Sequence, residues 1–345
     1  MEKRILWADV AKYIGIMFVM LSHLESNTEL LGALYTPFFL SIFFFVSGYL
    51  YNEQDTFRKF AYKKLRGLFV PWLIFSVFNI CLSQILSFNS HSDIFTELRW
   101  NFLQIRGMGD GLWFIVALFV AFFPFYFLVN LTKGLNRKYR FKIMIGISFG
   151  LSIVSVVYSL FMNPTLLPWN SSALPWHVEY IFQAMFYMVL GYLFKLEYEE
   201  VLERYNTRAN RIRCLVFYLL LIYIPYFADV TMPIVLDVIY QYVSQIFGIL
   251  CVVSICKMIN TNKYISFVGK NTLIYFALHG KVYSLLQTLL KKGVGTYYNM
   301  ILSNTILSSI FAVVFAVLLS IILIVPAYVI NKWFPFVIGR GKRRK

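Results

Sequence analysis

The chain has 345 residues, is 59% hydrophobic with a mean hydropathy of +0.68, and carries a formal charge of +16. A soluble domain of this length needs far more polar surface, so the composition excludes one and indicates an integral membrane protein. The charge alone would suit nucleic acid, but the placement of the cations argues against such a partner.

Ten apolar segments are predicted to cross a membrane as helices: about 5–24, 33–51, 68–86, 113–131, 142–161, 178–196, 213–228, 233–256, 267–290 and 301–330. The seventh is short and carries Pro225, and the ninth is interrupted by His279-Gly280-Lys281. The first lacks a small-residue cleavage site and leads straight into further spans, so it reads as a retained helix. Along it, Asp9, Lys12, Ile16, Val19 and His23 recur at spacings of three and four and share one face. His23 lies roughly 16 Å beyond Lys12 along such a helix. With Lys12 at a membrane edge, the imidazole is near the middle of a hydrocarbon core about 30 Å thick. An ionisable group there is costly and reads by default as functional, and a neutral imidazole is available as a general base. The alternative is a histidine tied to a carbonyl of a neighbouring helix.

The connections carry a charge asymmetry. One side holds Lys3, Arg4 and Lys12; Arg58, Lys59, Lys63, Lys64 and Arg66; and Lys133, Arg137, Lys138, Arg140 and Lys142. It also holds Lys195, Arg204, Arg208, Arg211 and Arg213, then Lys257, Lys263 and Lys270, and a tail with Lys332, Arg340, Lys342, Arg343, Arg344 and Lys345. That is 27 of 32 basic residues, against Arg99, Arg106, Lys281, Lys291 and Lys292 on the other side. By the positive-inside rule both termini are cytoplasmic, and the cation excess reflects topology. Outside, residues 87–112 form the largest connection, and 162–177 follows with Pro164, Pro168, Trp169, Pro175, Trp176 and His177. Neither is long enough to fold as an aqueous domain, so chemistry belongs inside the bundle or at its mouths. Cys81, Cys214, Cys251 and Cys256 fall in or beside apolar segments without zinc-ligand spacing and read as unpaired small hydrophobes; no metal site is expected.

His279 lies nine residues, roughly 14 Å, past Lys270, which gives a second imidazole at a depth similar to that of His23. Two such histidines could flank one cavity, although nothing in the sequence brings their helices together. Lys59, Lys63, Lys64 and Arg66 precede an apolar span containing Pro71. Topology explains such a cluster; the sharper reading is that these cations hold the phosphates of an anionic cytosolic cosubstrate. Glu179 enters the sixth span beside Trp176 and His177. It either sits solvated at the outer edge or serves a carbohydrate, whose C–H faces suit tryptophan and whose hydroxyls suit a carboxylate. Asp9 is placed at the interface, paired with Arg4 or Lys12.

Five stretches together resemble acyltransferase family 3, the membrane-bound sugar O-acyltransferases. The first span with Arg4, Asp9, Lys12 and His23 resembles the opening signature of the family. Phe43-Phe44-Phe45-Val46-Ser47-Gly48-Tyr49-Leu50 and Lys63-Lys64-Leu65-Arg66-Gly67-Leu68-Phe69-Val70-Pro71-Trp72 resemble its second- and third-helix motifs. Gly111-Leu112-Trp113-Phe114-Ile115-Val116-Ala117-Leu118 is similar to the fucose O-acetylase-like branch. Phe267-Val268-Gly269-Lys270-Asn271-Thr272-Leu273-Ile274-Tyr275-Phe276-Ala277-Leu278-His279 resembles the late helix that ends in histidine. One departure is that Lys63 and Arg66 stand where the family often has two arginines, and lysine lacks the bidentate fork.

The resemblance implies an all-α integral membrane protein: one transmembrane acyltransferase domain at 1–335 and a basic cytoplasmic tail at 336–345. It implies transfer of an acetyl group from cytosolic acetyl-CoA to a hydroxyl of a surface glycan or lipid-linked oligosaccharide, in a bacterial plasma membrane. His23, Glu179 and His279 are the candidate catalytic residues, with His23 as general base or transient acyl acceptor. Lys63, Lys64 and Arg66 are the candidate cosubstrate contacts. The absence of an extracellular hydrolase-like domain points to the stand-alone members that modify capsule, lipopolysaccharide or exopolysaccharide. Three alternatives stay open: an exporter of lipid-linked glycan with His23 as proton relay, a non-catalytic assembly subunit, and succinyl in place of acetyl transfer. The topology is testable. Reporter fusions after residues 66, 138, 208 and 345 should report cytoplasm, and those after 28, 95 and 170 the exterior; a cytoplasmic signal at 170 would overturn the ten-span arrangement.

Overall fold

The computed structural model describes residues 5–26, 28–86, 93–109 and 111–341. Lys3, Arg4, part of the predicted outer connection (87–92) and the tail residues Lys342, Arg343, Arg344 and Lys345 lie outside them. The described chain is helical, with no strand among the described residues. In order the helices are α1 (Leu6–Ser22), α2 (Glu29–Tyr35), α3 (Ser41–Tyr49), α4 (Phe57–Lys64), α5 (Val70–Leu86) and α6 (Ile94–Leu103). Then come α7 (Trp113–Leu131), α8 (Arg137–Phe161), α9 (Val178–Leu193), α10 (Glu199–Tyr205) and α11 (Arg208–Phe227). Last are α12 (Ile234–Cys256), α13 (Lys263–Lys270), α14 (Thr272–Ser303), α15 (Thr305–Ile322) and α16 (Ile324–Trp333).

Among the described residues, six stretches are long and apolar enough to cross a membrane: Phe57–Ile85, Trp113–Leu131, Arg137–Phe161, Arg208–Phe227, Ile234–Cys256 and Thr305–Trp333. The protein is a multi-pass membrane protein. These six match six of the ten predicted segments. In the other four, α1 has 17 residues and α9 has 16, the 33–51 segment breaks into α2 and α3, and α14 carries three lysines and kinks at Val294. Local chemistry explains several boundaries. Asp93, Asn136, Thr207, Asn262 and Asn304 each accept a backbone N–H at a helix start. Between α4 and α5, Leu65–Phe69 form a π turn. Pro71 supplies the reason: it has no N–H for the Gly67 carbonyl and its ring crowds that carbonyl, so the helix widens there.

One compact unit comprises Met1–Val46 and Phe194–Ala327. Its centre is α1, which packs against α12, α13, α14 and α15. Trp7, Ala8, Val10, Ala11, Ile16, Val19 and Met20 are buried there, and Asp9, also buried, pairs with Lys12 at 3.0 Å. The α1–α13 crossing is so close that a Cβ on Gly269 would lie 2.2 Å from the Asp9 carbonyl oxygen. Small residues at such a crossing let backbones touch where lipid offers no hydrophobic drive. Hydroxyls of α11 fasten α2: Tyr218 donates to the Leu34 carbonyl at 2.7 Å and Tyr223 to that of Leu30 at 2.9 Å. Lys257 is held by Glu199 and Glu203, each at 2.8 Å. Cys214 and Cys251, expected to pack singly, are free thiols with their Sγ atoms 2.8 Å apart, because α11 and α12 run side by side.

The second unit comprises Ser47–Leu193 and Tyr328–Lys345. In it α9 packs along both α7 and α8, with Ser148, Ser152 and Ser155 of α8 buried. Tyr51, Phe60, Phe125, Tyr126 and Tyr192 form an aromatic core. Arg140 bridges Glu53 at 3.2 Å and the Tyr192 hydroxyl at 2.7 Å. Gly269→Ala should test how much the α1–α13 crossing contributes. Backbone cannot yield as a side chain does, so a cost of about 1–3 kcal/mol is expected, the usual size for overpacking. Gly146→Ala, where a Cβ meets nothing, should be neutral or slightly stabilising by helix propensity. Thermal unfolding in detergent reads both, and equal midpoints would show that the crossing tolerates a methyl group.

Candidate active site

The two sequence-predicted histidines come from α1 and α14, which pack together in the first unit. Their ring centroids are 4.8 Å apart with the planes at 78°. His23 is the residue on which α1 ends, not a position within it. Its Nδ1 lies 2.8 Å from the Val19 carbonyl oxygen, an atom that only accepts, so Nδ1 carries the proton and Nε2 the lone pair. The same assignment holds for His279, whose Nδ1 lies 2.8 Å from the Phe276 carbonyl and 3.2 Å from that of Tyr275. His23 is exposed and its Nε2 has no partner among the described residues. His279 is 5% exposed, and its Nε2 is buried with no partner among the described residues. An unmet buried acceptor costs about 1–3 kcal/mol, and the group it lacks is a donor such as a hydroxyl.

The chain after His23 is fastened along α14. The backbone N–H of Glu25 donates to the Tyr283 hydroxyl at 2.6 Å, and the Glu25 carboxylate accepts from Gln287 and sits 2.8 Å from Lys291 Nζ. With His279, these α14 residues recur every four positions, so one helix face carries His279, Tyr283, Gln287 and Lys291 in a row.

The cationic candidates lie in the second unit, where the π turn re-aims the helix. Lys63 Nζ is 2.5 Å from Asp55 Oδ2, and Lys59 Nζ is 2.8 Å from Oδ1. Lys64 Nζ sits 3.3 Å above the centre of the Phe122 ring. Arg66 has no hydrogen bond or ion pair among the described residues. The C-terminal segment returns to this point: Gly339, at φ +68°, rests on the Arg66 carbonyl, where a Cβ would lie 2.1 Å away. An anion arriving here would meet Arg66 free, but would compete with Asp55 for Lys63.

Glu179, the third catalytic candidate, also belongs to the second unit. Its Oε2 accepts from the Leu174 N–H at 2.9 Å and its Oε1 is 3.6 Å from His177 Nδ1; the side chain is 10% exposed. The solvated reading therefore does not describe it: the carboxylate braces the 174–178 loop. That loop holds Trp176 and His177 at positive φ, with the Trp176 ring among Phe69, Trp72 and Phe102.

A family model described as an acyltransferase domain matches residues 5–325. The chain belongs to acyltransferase family 3. No curated protein and no solved structure matches it.

Around the histidine pair of this acyltransferase, Glu25, Tyr283, Gln287 and Lys291 were not singled out from sequence. The four-residue spacing from His279 was the available signal, hidden by the interruption of hydropathy that the same polar residues cause. Asp55 was missed as well: its four-residue spacing to Lys59 just before α4 was the available signal, and only the fold brings Lys63 to the same carboxylate. Hydrogen bonds from Lys59 and then Lys63 hold the Asp55 carboxyl below its ordinary range. A depressed folded-state value means the pairing stabilises above the unfolded carboxylate value of about 3.9 and is lost as pH falls through the folded value. The thermal midpoint of the wild type should therefore drop further between about pH 6 and pH 3 than that of Asp55→Asn. Equal drops would remove Asp55 from the acid response.

Proposed function

We propose that this acyltransferase is an O-acetyltransferase that moves an acetyl group from cytosolic acetyl-CoA to a hydroxyl of a bacterial cell-surface glycan. The observation that carries the reading is the facing imidazole pair, in which each Nδ1–H is committed to a carbonyl and each Nε2 lone pair is left over. Such an atom can take the proton of the acceptor hydroxyl as its oxygen attacks the thioester carbonyl. The C–S bond then breaks and the thiolate leaves, protonated by the imidazolium. A neutral Nε2 could equally accept the acetyl group first and pass it to the hydroxyl. His23, with its ring exposed, suits either step, and His279 suits a second contact to the hydroxyl.

Arg66, with Lys63 and Lys64, would hold the phosphates of the donor. The free guanidinium supports this assignment, since charge-assisted contacts to phosphate are among the stronger hydrogen bonds. Glu179 is better suited to ordering its loop than to proton transfer. The proposed setting is ten spans with both termini cytoplasmic in a bacterial plasma membrane, one acyltransferase domain over 1–335 and a basic tail over 336–345. The 27-to-5 cation bias supports that orientation. The likeness of residues 111–118 to the fucose O-acetylase-like branch supports a glycan acceptor.

His23→Ala should leave the protein inserted and folded, because its ring is exposed. Acetyl transfer should fall at least about a hundredfold, the usual minimum for a positioned acid–base group. His23→Gln keeps a hydrogen bond to Val19 but takes no proton, so near-wild-type transfer by that variant would make His23 structural. His279→Ala in parallel separates roles: an equal loss means the pair acts as one unit, and a smaller one a supporting contact.

A further inference from the structure

A cavity in the first unit is lined by side chains that the acyl-transfer chemistry does not use. It measures about 520 Å³ and lies among α2, α11 and α12, within the size range of small-molecule sites. On α12, Asp237, Gln241 and Gln245 follow one another at four-residue spacing, so a polar stripe runs about 12 Å into an otherwise apolar helix. Polar groups inside a membrane helix face protein or a wet cavity and mark ligand paths. Internal bonding uses part of this stripe. Asp237 accepts from Gln241 Nε2 at 2.9 Å, and Gln245 Oε1 accepts from Ser41 at 2.8 Å.

What remains is chemically specific. One Asp237 oxygen and the Gln241 oxygen are free to accept, and the Gln245 amide is free to donate, among the described residues. Tyr226 and Tyr240 add aromatic faces, and no Lys or Arg lines the cavity. A phosphate or acyl-CoA would meet a carboxylate and no cation, so an anionic ligand is disfavoured. A neutral molecule whose hydroxyls both donate and accept, and whose C–H faces cover aromatic rings, satisfies every group. The α11–α12 turn, residues 228–233, is extracellular in the topology proposed above, so the cavity opens toward the outer side.

We infer that this cavity is a saccharide-binding site that seats a sugar unit of the acceptor glycan. The inference rests on the glycan-directed reading above. Its wall is the helix that follows His23, through Ala33 and Thr36 of the α2 segment. A sugar bound there would be contacted by the segment tied to the imidazole.

The test uses the purified full chain in detergent with two probes: glycan freed from the surface of the producing cells by mild acid, and the same glycan still lipid-linked. Saturation-transfer NMR reads binding, and initial rates give the KM for each substrate. Asp237→Asn and Tyr226→Ala should weaken glycan binding and raise the acceptor KM at least about tenfold, as for loss of a charge-assisted hydrogen bond. The KM for acetyl-CoA should stay put, and Gly146→Ala, where a Cβ meets nothing, should bind glycan like the wild type. Gln241→Leu, at an exposed position, gives an independent reading should Asp237→Asn fail to fold. Loss of binding for both probes would assign the site to the sugar itself, and loss confined to the lipid-linked form to a lipid-borne acceptor. Glycan binding unaffected by these substitutions would overturn the site while leaving the acyltransferase reading intact. A wild type that binds neither probe would overturn the glycan reading, and the site with it.

Discussion

The hydrogen bond from the His23 imidazole to the Val19 carbonyl is the interaction on which the catalytic reading depends. Where α1 stops, the backbone N–H of His23 bonds back to Met20, so Val19 loses its usual partner. A helix end in a membrane protein must satisfy such carbonyls from somewhere. Here the Ser22 hydroxyl, donating at 2.9 Å, and the ring of the capping residue share the Val19 carbonyl, and the ring in doing so fixes its own tautomer. The contact that helps close the helix leaves a basic nitrogen directed away from it. His279 reaches the same state by another route, bonding to carbonyls one turn back within a continuing helix.

Placing the two rings edge to face needs α1 to sit close to its neighbours. The Gly269 contact with Asp9 brings α13 against the start of α1, and the Glu25 contacts with Tyr283, Gln287 and Lys291 hold the chain beyond its end. The helix carrying the histidine is therefore gripped at both ends by elements adjacent in sequence, α13 and α14. Burial does the rest: Trp7, Ala8, Val10 and Ala11 near the start of α1 and Val19, Met20 and Leu21 near its end are enclosed in the unit.

The cationic segment follows a different logic. Its lysines are already committed, Lys59 and Lys63 to Asp55 and Lys64 to the Phe122 ring, and the π turn leaves Arg66 without either kind of partner among the described residues. A helix interrupted by Pro71 cannot keep regular spacing. The interruption changes which basic side chain is available to an anion.

The membrane class, six of the spans, the family and the two histidines were legible in the sequence because each follows from residue type and order. A run of about twenty apolar residues must be a helix in lipid, whatever it packs against. Tertiary structure alone decided that His23 and His279 meet, since 256 positions separate them and no periodicity encodes a contact between α1 and α14. It decided that His23 ends its helix, because that depends on how the Glu25 segment is held. It also decided that Glu179 is spent on the Leu174 amide and that Lys63 is spent on Asp55. Charge and polarity are properties of a residue and can be read along a chain, whereas a hydrogen bond requires its partner to arrive, and partners arrive through packing.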